Sequence, residues 1–441
     1  MKKYFIIASL LPVVAFGAED CATCRSVPDG EQSLQDVIKL GLCRNPQTAA
    51  AYASLQSSRF SKNAGYANYL PSVSAGLSAG KDYRNKEWSD WGYGASISAS
   101  YLIFDFGKRT ADMNQMIATY RAAGFDFSET VQNFVYGLVG SYYELLNSDA
   151  DVKSAESALT VAQTAYDTAS KKFKAGAVAR ADVLKAETTL ANSKLSVERA
   201  KNNREIAKGT LLTKLSFPAD QDIIIADMSS DFGSDAESDD IEKLLEVARK
   251  KRPDLLKASA NKDAAWHKRN SAFLKNLPSI SASGSISWND DHFSDVFNPS
   301  GNNINGSIGI RASMPIFAGF ANMYGLRAAE SDYERAKYNE QQTSNAAMMD
   351  VFTAYQNYKT ARTVLTQTEV LLKSATESER VTGGMYKVGR STMLDWQNAQ
   401  SELIDAQKQN NAAKYDLFIK RAAVALAIGD LKSELEGETN E

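Results

Sequence analysis

The sequence predicts a mixed α/β membrane protein, internally duplicated, whose long helices accompany strands that no single chain can close into a barrel. Three observations carry this. Segments recur at a constant offset, four short segments alternate between apolar and small polar residues, and two very long stretches contain no proline.

The duplication comes first, because a fixed period decides the architecture. Leu70-Pro71-Ser72-Val73-Ser74-Ala75 recurs as Leu277-Pro278-Ser279-Ile280-Ser281-Ala282, 207 residues later. Pro46 and Pro253 share that offset, whereas Phe104 matches Phe317 at 213, so the second hairpin loop is about six residues longer. Phe173-Lys174-Ala175-Gly176 matches Tyr386-Lys387-Val388-Gly389 at 213, and Asp182/Asp395, Ala186/Ala399 and Leu190/Leu403 keep that register. The expected layout is residues 34–217 as one copy, with a hairpin over about 72–104. An acidic linker over 218–240 follows, then a second copy at 241–429 with a hairpin over about 279–315. An acidic tail over 430–441 has the composition of a disordered segment.

Each copy starts with a short helix that ends before Pro46 or Pro253. Proline is suited to the first turn of the next helix, which runs to about Tyr69 or Asn276 and stops at Leu-Pro. The strands follow. Over 72–80 the apolar positions are Val73, Ala75, Leu77 and Ala79; over 94–103 they are Ala95, Ile97, Ala99, Tyr101 and Ile103. Over 279–289 they include Ile280, Ala282, Ile286 and Trp288, and over 304–314 Ile304, Ile308, Ile310, Ala312 and Met314. The residues between are mostly serine and glycine. A period of two gives each strand one apolar and one polar face. Each segment is near the length of about 9–11 residues that crosses a bilayer as a tilted strand. A wet lumen suits the polar face, and Trp88, Trp91, Tyr93 and Trp288 are placed for an interfacial girdle. Four strands cannot close around open space, since the smallest barrels need about eight. Several chains must therefore share one barrel; three would supply twelve strands, and the residues alone leave two or four open.

The proline-free runs, from about Gly107 to Lys172 and from Phe320 to Met385, predict helices reaching roughly 100 Å at 1.5 Å per residue. Return helices run from about Arg180 to Leu215 and from Thr392 to Ile428. Leu159, Ala162, Ala165, Tyr166, Ala169 and Phe173 recur at spacings of three and four, which is a packing stripe.

Residues 1–17 read as a secretory signal: Lys2 and Lys3, the apolar run Tyr4 to Val14, then small Ala15 and Gly17. Nothing later is apolar for the 18 or so residues a membrane helix needs, so membrane crossing is expected to use strands. With 50 basic against 53 acidic residues the net charge is −3, and no basic block marks nucleic acid as a partner. Export implies an oxidising compartment. In the tail over 18–33, Cys21 and Cys24 lack the strand–helix context of a redox motif; a disulfide from either one to Cys43 is expected. Ala18-Glu19-Asp20 is a poor approach to a lipid-modified Cys21. His267 and His292 have no ligand spacing, so no metal site and no cofactor are expected. No convergent nucleophile, base or metal set marks an enzyme. A periplasmic coiled-coil scaffold or adaptor without a pore is the alternative, but it leaves the four strands unexplained.

Together, the Leu-Pro hairpins, the long helices and the repeated aromatic-x-x-Gly turn with a following aspartate resemble the TolC-type outer-membrane efflux family. The resemblance runs from about Leu34 to Gly429, and Phe173/Gly176/Asp182 and Tyr386/Gly389/Asp395 carry most of it. It implies a homotrimer with a twelve-strand β-barrel in the outer-membrane lipid and a long α-helical barrel across the periplasm. It implies an exit duct for efflux or type I secretion, fed by an inner-membrane pump of RND, ABC or MFS type. A periplasmic adaptor (membrane fusion) protein would dock at turns marked by Phe173, Gly176, Tyr386 and Gly389. The resemblance also implies a constriction at these turns. Asp182 matches an acidic partner, Tyr386 an aromatic donor and Asp395 the first position of an acidic ring. The second ring position is Asn398 here, and the basic latch position is Ser391, beside Arg390. A carboxylate ring in a pore would favour cations. Helix capping by Thr392-x-x-Asp395 and a dipole role for Asp182 are the local alternatives.

Overall fold

The computed structural model describes residues 30–81, 83–84, 86–89, 91–226, 241–290 and 304–431. The expected signal, Cys21, Cys24, most of the linker and the end of the tail lie outside them. In chain order the elements begin with β1 (Glu31–Gln32), α1 (Leu34–Arg44), α2 (Pro46–Gly65), β2 (Ser72–Gly80), β3 (Tyr83–Arg84) and β4 (Glu87–Trp88). Then come β5 (Gly92–Phe104), α3 (Lys108–Lys174), α4 (Arg180–Lys214), β6 (Ile224–Ile225), α5 (Ile241–Lys251) and α6 (Pro253–Leu274). The chain ends with β7 (Ser279–Asp290), β8 (Ile304–Ser313), α7 (Ala321–Lys387) and α8 (Met393–Ile428). Both α3 and α7 are 67 residues long, and their return helices have 35 and 36 residues. No described helix is long and apolar enough to cross a membrane.

Two compact units are present. One takes the described residues up to Ala51, those of Ser128–Arg252 and those from Ala346 onward; the other takes Tyr52–Phe127 and Pro253–Asn345. Each sequence half contributes to both.

The second unit holds a four-stranded antiparallel sheet in the order β2-β5-β7-β8. Its register puts the apolar positions in line: Val73 opposite Ala99, Ile97 opposite Ile286, and Ala282 opposite Ile310. That face stays open, with Leu77 82%, Ile308 94% and Ile310 75% exposed. The other face carries serine ladders, Ser74 to Ser98 at 2.8 Å and Ser285 to Ser307 at 2.9 Å. Among the described residues, β2 and β8 each pair along one side only, and such edges demand a partner strand. The strict alternation expected through Ile103 breaks: the register shifts between Leu102 and Phe104, and Phe104 pairs with Ile280 on the apolar face. An extra residue at a strand end makes a bulge that bends the strand. The aromatic girdle also needs correcting. Trp88 and Trp91 are exposed, but Trp288 is 5% exposed and fronts no open surface of the protomer. At the exit from β5, Arg109 donates to the carbonyls of Leu102 at 2.7 Å and Ile103 at 3.1 Å, and sits 3.4 Å from the buried Asp105 carboxylate. This clamp orients the start of α3.

The first unit owns the largest core. Val37 of α1, Leu138, Tyr142 and Leu145 of α3, and Leu211, Leu212 and Leu215 at the end of α4 pack with Phe418 of α8. Ser33 opens α1 with a capping box closed by Asp36. Cys43 is half-buried in the last turn of α1.

Candidate functional site

The α3–α4 and α7–α8 turns both belong to the first unit and end their long helices identically. Gly176 and Gly389 hold φ of +74° and +79°. The amides of Gly176 and Ala177 donate to the carbonyls of Phe173 and Lys172 at 2.9 and 2.8 Å. Those of Gly389 and Arg390 donate to Tyr386 and Met385 at 3.1 and 2.8 Å. This left-handed glycine cap satisfies the last helical carbonyls without a Cβ penalty.

Beyond the backbone the turns differ. Tyr386 is 3% exposed, whereas its counterpart Phe173 is 43% exposed and leaves the packing stripe. In the rest of the stripe Ala162, Ala165 and Ala169 are buried, whereas Leu159 and Tyr166 are half-buried. Ala165, Ala169 and Ala186 from the first half form one cluster with Tyr386, Met393 and Trp396 from the second. Trp396 stacks on Tyr386 with centroids 5.2 Å apart and an interplanar angle of 33°. Its indole nitrogen donates to Glu379 Oε1 at 2.9 Å. Gly383 makes room for the indole, since a Cβ there would lie 2.7 Å from Nε1. Lys172 Nζ donates to the backbone carbonyl of Tyr386 and lies 4.4 Å from its ring centroid. Gln397 Nε2 donates to Thr189 Oγ1 at 2.7 Å, a further link between the halves. Lys172 and Trp396 were missed in the sequence. Gly383, a glycine inside a helical run, is the one signal that could have marked the close approach of Trp396.

The Tyr386 hydroxyl is buried with no hydrogen-bond partner among the described residues. Burial, and secondly the negative charge of Asp182, push its pKa up. Asp182 is half-buried in the first turn of α4, and the α4 cap residue Ala179 makes no side-chain cap bond. The structure thus brings Asp182 into the electrostatic reach of Tyr386 without a hydrogen bond between them.

Asp395 is exposed and works as a helix cap. Thr392 closes a capping box with it: the Thr392 amide donates to Asp395 Oδ2 at 2.9 Å and the Asp395 amide to Thr392 Oγ1 at 3.1 Å. Ser391 Oγ adds a bond to Oδ2 at 3.1 Å. Hydrogen bonds from the Thr392 hydroxyl, first, then from the Thr392 amide and Ser391, hold the Asp395 pKa below its usual value. A depressed pKa means stability that is present above the unfolded-state value and lost as pH falls through the folded one. Asp395→Asn is therefore expected to lower the thermal midpoint above about pH 4 and to converge with wild type in stronger acid. Melting curves of both proteins across pH check this; a constant difference at all pH values contradicts it. Arg390 and Asn398 are exposed beside this cap. Among the described residues no group of three or more metal-ligating side chains comes together.

The sequence model described as outer membrane efflux protein matches residues 37–215 and 244–430, most of the chain. The chain belongs to this family. Outer membrane efflux proteins are outer-membrane channels rather than enzymes, and this member is an outer-membrane efflux or secretion channel protein. Protein CyaE of Bordetella pertussis is 23% identical over 412 residues, 92% of this chain and 86% of CyaE. Outer membrane protein TolC of Vibrio cholerae is 22% identical over 403 residues, 88% of this chain and 87% of TolC. The solved outer-membrane channel OprN superimposes with a TM-score of 0.80, at 20% identity and 90% coverage of both chains. The family's fold is thus shared, in a chain that is mostly helical with one four-stranded sheet.

Proposed function

We propose that three copies of this chain form the exit duct of a tripartite efflux or type I secretion system. Each copy supplies four strands to a twelve-strand barrel and two helix pairs to a periplasmic helical barrel. The observation that carries this reading is the sheet: four antiparallel strands with an apolar face open over most of its length and, among the described residues, unpaired edges at β2 and β8. Such a sheet is satisfied by lipid on its apolar face and by neighbouring copies at its edges. Residues 34–217 and 241–429 are then two copies of one ancestral unit. The duct does no chemistry and passes what an inner-membrane pump of RND, ABC or MFS type delivers. A periplasmic adaptor docks at the turns marked by Phe173, Gly176, Tyr386 and Gly389 and opens them.

In this reading the cluster around Tyr386 holds the periplasmic entrance shut, with Asp182 and Asp395 presenting negative charge to it. The test is single-channel conductance in planar bilayers. Tyr386→Ala, which removes the packed ring, is expected to raise conductance several-fold over a nearly closed wild type. Equal conductance in an oligomer of the same size counts against the gate. Recovery of the exported protein as a soluble periplasmic monomer would sink the duct altogether and favour a scaffold without a pore.

A further inference from the structure

We infer that Lys172, from the first half of the chain, is the cation that holds the entrance closed by positioning Tyr386 of the second half. The inference rests on the gate reading above. One ammonium group grips Tyr386 in two ways, through its backbone carbonyl and through the face of its ring. The carbonyl lies in the last turn of α7, at the negative end of the helix dipole. It also accepts the Gly389 amide that closes the turn, so Lys172 fastens ring and turn together. The ammonium over the ring adds an attraction that depends on the charge and on the aromatic face.

The other candidates for this role are engaged elsewhere or point away. The Tyr386 hydroxyl has no hydrogen-bond partner among the described residues, and none of them tethers the ring through it. Ser391, at the position where a basic latch was expected, donates its hydroxyl to the Asp395 cap. Arg390 is exposed, and its amide belongs to the α7 cap. Lys172 is half-buried at the end of α3, and its counterpart in the second half, 213 residues on, is Met385. The closing cation is therefore present once per chain and acts across the two halves, over 214 positions of sequence.

A contrast in charge separates this role from a general packing role. Lys172→Met keeps the length of the side chain and removes the charge, so it is expected to raise conductance several-fold in planar bilayers. Lys172→Arg keeps the charge and both contacts, and is expected to conduct like wild type. Lys172→Gln serves in place of Lys172→Met if that variant does not assemble, with the same expected opening. Wild-type conductance in the uncharged variants, with Tyr386→Ala open, overturns the inference and leaves the gate standing. Opening by Lys172→Arg overturns it as well, because charge would not be the cause. If Tyr386→Ala itself stays closed, the gate reading fails first.

Discussion

Trp396→Ala is expected to destabilise the helical turns by about 3–5 kcal/mol, the range for truncating a buried tryptophan. Trp396 is 3% exposed and joins four things at once. It stacks on Tyr386, donates to Glu379, covers Gly383 and borders the alanines of α3. Alanine leaves a cavity that these alanines are too small to fill, and it takes away the aromatic neighbour of Tyr386. The loss is local, so hydrogen exchange is the suitable measurement. Amides in the last turns of α3 and α7 should exchange much faster, while those around Leu138 and Leu211 keep their protection. Trp396→Phe keeps an aromatic neighbour for Tyr386 and should fall between the two. Unchanged exchange at the turns in Trp396→Ala would show that the indole is not their core.

Gly429→Ala is expected to cost about 2–4 kcal/mol, combining a strained backbone with an overpacked contact. Gly429 caps α8 at φ +75°. A Cβ there would lie 2.7 Å from Arg252 Cα and 2.9 Å from the Lys251 carbonyl carbon. These are backbone atoms, which cannot rotate aside. The region is tied down further: Arg252 donates to the Ala427 carbonyl at 3.1 Å and to Asp350 at 3.0 Å, and Lys251 pairs with Asp430. Gly389→Ala is the control. It has the same left-handed backbone, at +79°, but nothing within 4 Å of an added Cβ. It should cost only the conformational part, about 1 kcal/mol. Thermal unfolding of the two variants checks the difference; equal losses would mean that the contact with Arg252 relaxes.

These two glycines show where local reading stops. Both were legible as turn or cap residues, because a helix that must end in a left-handed residue favours glycine wherever it lies. What surrounds each was not legible, since Gly389 faces open space and Gly429 touches a backbone 177 residues away in sequence. The same division runs through the turns. Asp395 was legible as a cap from Thr392-x-x-Asp395, and the box is present. The match between Phe173 and Tyr386 was also legible, yet one is exposed and the other buried. Nothing within either motif separates them. The difference lies in the second half's own neighbours, where Trp396 and Gly383 occupy places that Val183 and Ser170 hold in the first half.

The sequence by itself determined the elements and their faces. Period-two alternation placed the four strands, proline placed the helix starts at Pro46 and Pro253, and the proline-free runs marked α3 and α7 to within two residues. These properties depend on neighbours one to four positions away, so they can be read along the chain. Only the tertiary structure decided that the two halves meet unequally at their turns. Burial of Tyr386 and the reach of Lys172 depend on atoms brought together from distant segments. Which side chain loses its water is set by the packing partner, and no local periodicity records that partner.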